Sequence, residues 1–138
     1  MNQNSLAYVT EFLRKKIIES NYYQNREKRF FVAAATVDRK GKILSWGENS
    51  YSKSHPLMKQ YNKQQHSDKV HKIYLHAEIS ALIKTRKQAH GIVIVRINHS
   101  RNYCYSKPCP ICSLAIKESD IKEVYYCGKN GAIEEAAL

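Results

Sequence analysis

Three short apolar runs constrain the fold more than any other feature of this chain. Residues 30–37, 92–97 and 124–127 are almost unbroken in apolar character and rich in Val, Ile and aromatic residues. Runs of that length and composition read as strands covered on both faces. Such strands need helices packed on the sheet, and the sequence between the runs supplies them. Residues 75–87 place Ile79, Leu82 and Ile83 on one helical face before Gly91. A further helix is opened by Pro108 and Pro110 and continues through Leu114, Ala115 and Ile116 to about Ser119. Proline is tolerated there because first-turn N–H groups have no helical partner.

The start of the chain is a helix too. Leu6, Val9, Leu13 and Ile17 recur at helical spacing, Asn4 or Ser5 can cap them, and the polar stretch 21–28 ends the helix. Asp38-Arg39-Lys40-Gly41 is a turn signal, and residues 42–46 form the returning strand of a hairpin. The stretch 47–74 lacks a clear period and reads as a long loop with a short helix around 57–64. The order helix, hairpin, helix, strand, helix, strand implies an α/β fold with helices layered on a sheet. At 138 residues, with few Pro and Gly and no repeat, the chain reads as one domain, 1–138.

Two motifs carry chemistry. His76-Ala77-Glu78 opens one predicted helix, and Pro108-Cys109-Pro110-Ile111-Cys112 opens the next. Together they match H-x-E … P-C-x-x-C, the zinc deaminase signature. Zinc prefers nitrogen and sulfur donors in tetrahedral array. Cys109 and Cys112, three residues apart, can point one way from a first helical turn, where the helix dipole favours thiolates. His76 adds a neutral nitrogen. Three protein ligands leave the fourth position open, which marks a catalytic rather than a structural zinc. Glu78 is then spare as a ligand and suited to proton transfer. The competing reading is a closed structural site completed by Cys104 or His99, which leaves Glu78 without a task. Cys104 and Cys127 are otherwise non-ligands, with Cys127 packed in a strand.

On these residues the chain resembles the cytidine/deoxycytidylate deaminase superfamily over roughly residues 30–130. The Ser54-His55-Pro56 segment is especially similar to small phage-encoded deaminases. The resemblance implies a three-layer α/β/α cytidine-deaminase-like fold with a central mixed sheet of four to five strands. It implies a Zn2+ cofactor held by His76, Cys109 and Cys112, with Glu78 as the catalytic acid and base. Gly47-Glu48-Asn49 stands where the family has a Gly-x-Asn segment, so Asn49 becomes a substrate-binding candidate. The backbone amide of Ala77 becomes a second, and His55, at the mouth of the site, a third. A homo-oligomer is also implied, since family members of this size often complete one another's pockets.

Only ten residues follow Gly128, too few for a parallel crossover, and Lys129-Asn130-Gly131 carries a hairpin signal. A fifth strand at 132–136 should therefore run antiparallel to 124–127. That arrangement resembles the free-nucleoside branch more than the deoxycytidylate and tRNA-adenosine branch.

Charge bears on the partner. The formal net charge is +11, which favours a phosphate-bearing or polyanionic ligand. Lys53, Lys59, Lys63, Lys69, Lys72, Lys84, Arg86 and Lys87 crowd residues 53–87. Tyr51, Tyr61, Tyr74, Tyr103 and Tyr105 are available for base stacking. His66 and His71 share the loop with His55, but no cysteine accompanies them, which disfavours a second zinc. No apolar run reaches 18 residues and no signal peptide is evident, so a reducing, cytoplasmic location without a membrane partner is expected.

Three functions are compatible with these features. The first is hydrolytic deamination of a free cytosine nucleoside or nucleotide. The second is the same chemistry on cytosine or adenine in single-stranded DNA or RNA. The third is a noncatalytic, zinc-containing nucleic-acid-binding module.

Overall fold

The computed structural model describes residues 1–25, 31–50, 58 and 75–136. Helix α1 (Gln3–Glu19) is followed by a short helix α2 (Asn21–Asn25), strand β1 (Phe31–Val37) and strand β2 (Ile43–Glu48). Helix α3 (Ala77–Lys84), strand β3 (Gly91–Ile97) and the two-residue strand β4 (Tyr103–Cys104) come next. Helix α4 (Pro110–Glu118), strand β5 (Glu123–Cys127) and strand β6 (Ile133–Ala136) complete the order.

Among the described residues one mixed sheet holds every strand, in the order β2-β1-β3-β5-β6, with β4 beside β3. Strand β1 pairs antiparallel with both β2 and β3, so β2 and β3 share a direction. β5 runs parallel to β3. The chain therefore returns to the same edge of the sheet before α3 and again before α4. Both helix N-termini lie at the carboxyl ends of β2, β3 and β5, where open α/β sheets place ligands.

Alternation along the strands divides the core. Phe31, Ala33, Ala35 and Val37 of β1 and Val93, Val95 and Ile97 of β3 face α1, meeting Val9, Leu13 and Ile17. Ala34, Ile92 and Ile94 face the other way, against Ala77, Ala81 and Ile116 of α3 and α4. The three-layer α/β/α arrangement follows from that period of two. Burying each large aliphatic side chain contributes about 1.5–3 kcal/mol.

Several expectations need correction. Strands β2, β1, β3, β5 and β6 make the expected five-stranded path, and residues 103–104, read as loop, add the two-residue β4 beside Arg96 and Ile97. A turn supports that pair: the Asn98 carboxamide oxygen accepts the Ser100 and Asn102 N–H groups, and Arg101 adopts φ 67°. The α1 cap is Asn2, whose oxygen accepts the Ser5 N–H at 2.8 Å, not Asn4 or Ser5. Residues 3–5 carry no apolar period, so the extra turn was invisible. The polar stretch after α1 forms α2 before it leaves the described residues. Ile83 is 40% exposed, because Ala77 and Ala81 take the sheet-facing stripe of α3. The terminal strand does form, and it pairs antiparallel with β5 from Val124↔Ala136 to Cys127↔Ile133.

The hairpin and α3 are locked together. The hydroxyls of buried Thr36 and half-buried Ser45 and Thr85 lie 2.7–2.9 Å from one another, and Ser45 and Thr85 both donate to Ala81 O, which leaves Thr36 as the donor to either of them. Gly47 lets β2 and α3 touch. A Cβ there would lie 2.6 Å from Ser80 Cβ and 3.0 Å from the Ala81 amide nitrogen, which is backbone and cannot swing away. Gly47→Ala should therefore destabilise by about 1–3 kcal/mol, the usual range for overpacking. Urea unfolding checks this, and an unchanged midpoint would mean that the two elements separate freely.

Candidate metal centre and active site

Each motif sits at a helix start, as its sequence requires. His76 is the N-cap of α3 and Cys109 the N-cap of α4, and neither cap uses its side chain to bond the helix. Their side chains are therefore directed elsewhere. Pro110 occupies the first turn of α4, which places Cys112 in the same turn as Cys109. Across the gap, His76 Nδ1 lies 3.2 Å from Cys112 Sγ and 3.6 Å from Cys109 Sγ. One donor atom from each of the three residues falls within 4.8 Å of the others.

This donor set fits zinc. Bonds of ~2.0 Å to nitrogen and ~2.3 Å to sulfur at tetrahedral angles put N and S roughly 3.5 Å apart. The two observed separations straddle that figure. His99 and Cys104 do not join: among the described residues the group that could hold a metal is His76, Cys109 and Cys112. His99 stacks with Tyr23 and meets Phe31 edge-on, and the Cys104 thiol contacts Asn102 O.

The two cysteines divide their proton unequally. A hydrogen bond from Cys112 holds the Cys109 thiol down at about 4, aided by His76. The same bond, with complete burial, pushes the Cys112 thiol well above its ordinary value. Glu78 lies in the first turn of α3 and is 6% exposed. Burial raises its carboxyl above the usual range, His76 opposes that rise, and Cys109 adds to it. Apolar neighbours line this part of the fold: Met58, Ile79, Ile111 and Ala115 cluster around Cys112. A desolvated carboxyl beside three metal-ligand side chains is an arrangement suited to proton transfer.

The family-model comparison agrees with this geometry. Residues 8–128 match the model described as the cytidine and deoxycytidylate deaminase zinc-binding region. The chain belongs to the cytidine and deoxycytidylate deaminase family. Its domain is that of a zinc-dependent hydrolytic deaminase, and its His-Cys-Cys group is compatible with Zn2+. No curated protein and no solved structure matches the chain.

The remaining candidates are placed unevenly around this deaminase centre. Asn49 follows β2 and faces β1: its carboxamide oxygen accepts the Val32 N–H at 3.0 Å, and its own N–H donates to Val32 O. The next residue, Ser50, donates to Leu75 O at 2.8 Å, so the end of β2 lies beside the approach to His76. Ala77 is fully buried at the first position of α3, where backbone N–H groups have no partner within the helix. His55, His66 and His71, the predicted 57–64 helix apart from helical Met58, and Tyr51, Tyr61 and Tyr74 lie outside the described residues.

Tyr103 packs on the α1 side, donating to Glu11 and lying under Arg14. Lys84 ends α3 and donates to Trp46 O, and Arg86 and Lys87 follow it. At 1.5 Å per residue that end is about 12 Å along the helix from His76. Tyr105 is 41% exposed and meets Tyr126 edge-on. The sequence reading missed Met58, which packs fully buried against the site, because one methionine in an aperiodic stretch carries no signal.

Proposed function

We propose that this protein deaminates a free cytosine nucleoside or nucleotide, with His76, Cys109 and Cys112 as zinc ligands and Glu78 as the catalytic acid and base. The observation that carries the reading is the convergence of the three donor atoms with a buried carboxyl two residues from His76. Bound zinc supplies Lewis acidity that makes water nucleophilic near neutral pH. Glu78 accepts a proton from the attacking water. It delivers protons to the ring nitrogen and to the departing amino group, so that amine and water become carbonyl and ammonia. Its desolvated position suits a group that must take up and release a proton in turn. Asn49, oriented by β1, and the Ala77 amide are the substrate contacts on the described side of the pocket, and His55 is assigned to the mouth.

A free substrate is favoured over a strand by two features. The antiparallel β5–β6 pair resembles the free-nucleoside branch. The described cations of the basic stretch sit at the far end of α3 rather than beside His76. The test is a mass-spectrometric panel of cytosine and adenine nucleosides, their mono- and triphosphates, a short single-stranded DNA and an RNA. Turnover of a free cytosine compound is expected, with weak salt dependence. Turnover confined to the polymers, collapsing steeply with added salt, would overturn the substrate assignment.

A further inference from the structure

We propose that Ser106 is a positioning residue for the metal centre, its hydroxyl tying the loop that carries Cys109 to the middle of β3 and the end of β5. The inference rests on the ligand assignment above. It begins where the sheet opens. Parallel pairing of β3 with β5 runs from Gly91↔Glu123 to Ile94↔Tyr126 and stops there. At the next step Ser106 stands between the strands. Its Oγ donates to Ile94 O at 2.8 Å and accepts the Cys127 N–H at 2.7 Å. Its own N–H donates to Cys127 O at 2.9 Å.

Ser106 belongs to no helix or strand, yet it is only 7% exposed. Three hydrogen bonds hold a loop residue more firmly than its neighbours in the chain. A hydroxyl can donate and accept at once, which the Ile94 carbonyl and the Cys127 amide together demand. Cys109 follows three residues later, with Pro108 restricting the backbone between them. The position of the Cys109 thiol relative to His76 is therefore set from Ser106. Without the hydroxyl, the Ile94 carbonyl and the Cys127 N–H are left to pair directly. The strands would then close by one step and draw the loop with them.

Zinc affinity of the full chain, by competition with a chromophoric chelator, tests this. Ser106→Ala should weaken zinc binding by roughly 10–100-fold, the range for groups that orient a ligand without touching the metal. Ser106→Thr, which keeps the hydroxyl, should restore most of it. Thr10→Ala, which removes an equally buried hydroxyl on the opposite face of the sheet, should leave zinc affinity unchanged. The thiolate-to-metal absorption of the cobalt-loaded protein should shift in Ser106→Ala and not in Thr10→Ala. Should Ser106→Ala fail to fold, Ser106→Cys replaces it, being close in shape but a poor hydrogen bonder, and the same direction is expected. A folded variant binding zinc within about twofold of the wild type would overturn the role of Ser106. A wild-type chain that takes up no zinc would instead overturn the ligand assignment, and this inference with it.

Discussion

Glu78→Gln should bind zinc as the wild type does, unfold at the same temperature or higher, and lose turnover by roughly 10²–10⁴-fold, the usual contribution of a positioned acid and base. The three parts of that result have separate causes. Zinc stays because the group proposed to hold it, His76, Cys109 and Cys112, does not include Glu78. Stability is not lowered because the carboxyl is 6% exposed, and burial disfavours its charged form. A neutral amide of the same shape removes that cost. Activity falls because an amide cannot shuttle a proton between water and the leaving amine. The variant is to be measured by zinc content, thermal melting and single-turnover deamination of whichever substrate the panel identifies. Undiminished turnover would remove Glu78 from the mechanism. A noncatalytic zinc module, by contrast, would have no turnover for the substitution to change.

The elements that carry the site were legible in the sequence because each is announced by local chemistry. The length and the β-branched and aromatic content of the runs 30–37, 92–97 and 124–127 favour covered strands, and they match β1, β3 and β5 to within a residue at each end. His76 and Cys109 stand in the opening residues of predicted helices and are the N-caps of α3 and α4 in the fold. Asn130-Gly131 is a hairpin signal, and β6 is antiparallel to β5. What escaped depends on contacts between distant segments. β4 is two residues long and exists through its pairing with Arg96 and Ile97. Ser106 looks like any loop serine until Ile94 and Cys127 are brought to its two sides. Of the lysines in 53–87, Lys84 and Lys87 are among the described residues, and the length of α3 separates Lys84 from His76, which closeness in sequence alone does not reveal.

Cys112→Ser should abolish stoichiometric zinc and leave the fold intact. Cys112 is fully buried at the first turn of α4, among Met58, Ile79, Ile111 and Ala115. A serine hydroxyl is a poor zinc donor beside a thiolate, because the metal prefers deprotonated sulfur and neutral imidazole. The affinity lost should exceed the roughly 10–100-fold expected for a group that merely orients a ligand. Removing a direct ligand and removing Ser106 are thereby ordered on one scale. The fold survives because the two larger clusters, on either face of β1 and β3, do not include Cys112. Stripping zinc from the wild type with a chelator should likewise abolish turnover while leaving the far-ultraviolet dichroism in place. A closed structural site behaves otherwise, since chelation there unfolds the region it holds. Metal analysis of purified Cys112→Ser at one zinc per chain would overturn the ligand assignment. Collapse of the dichroism on chelation would move the centre from a catalytic to a structural role.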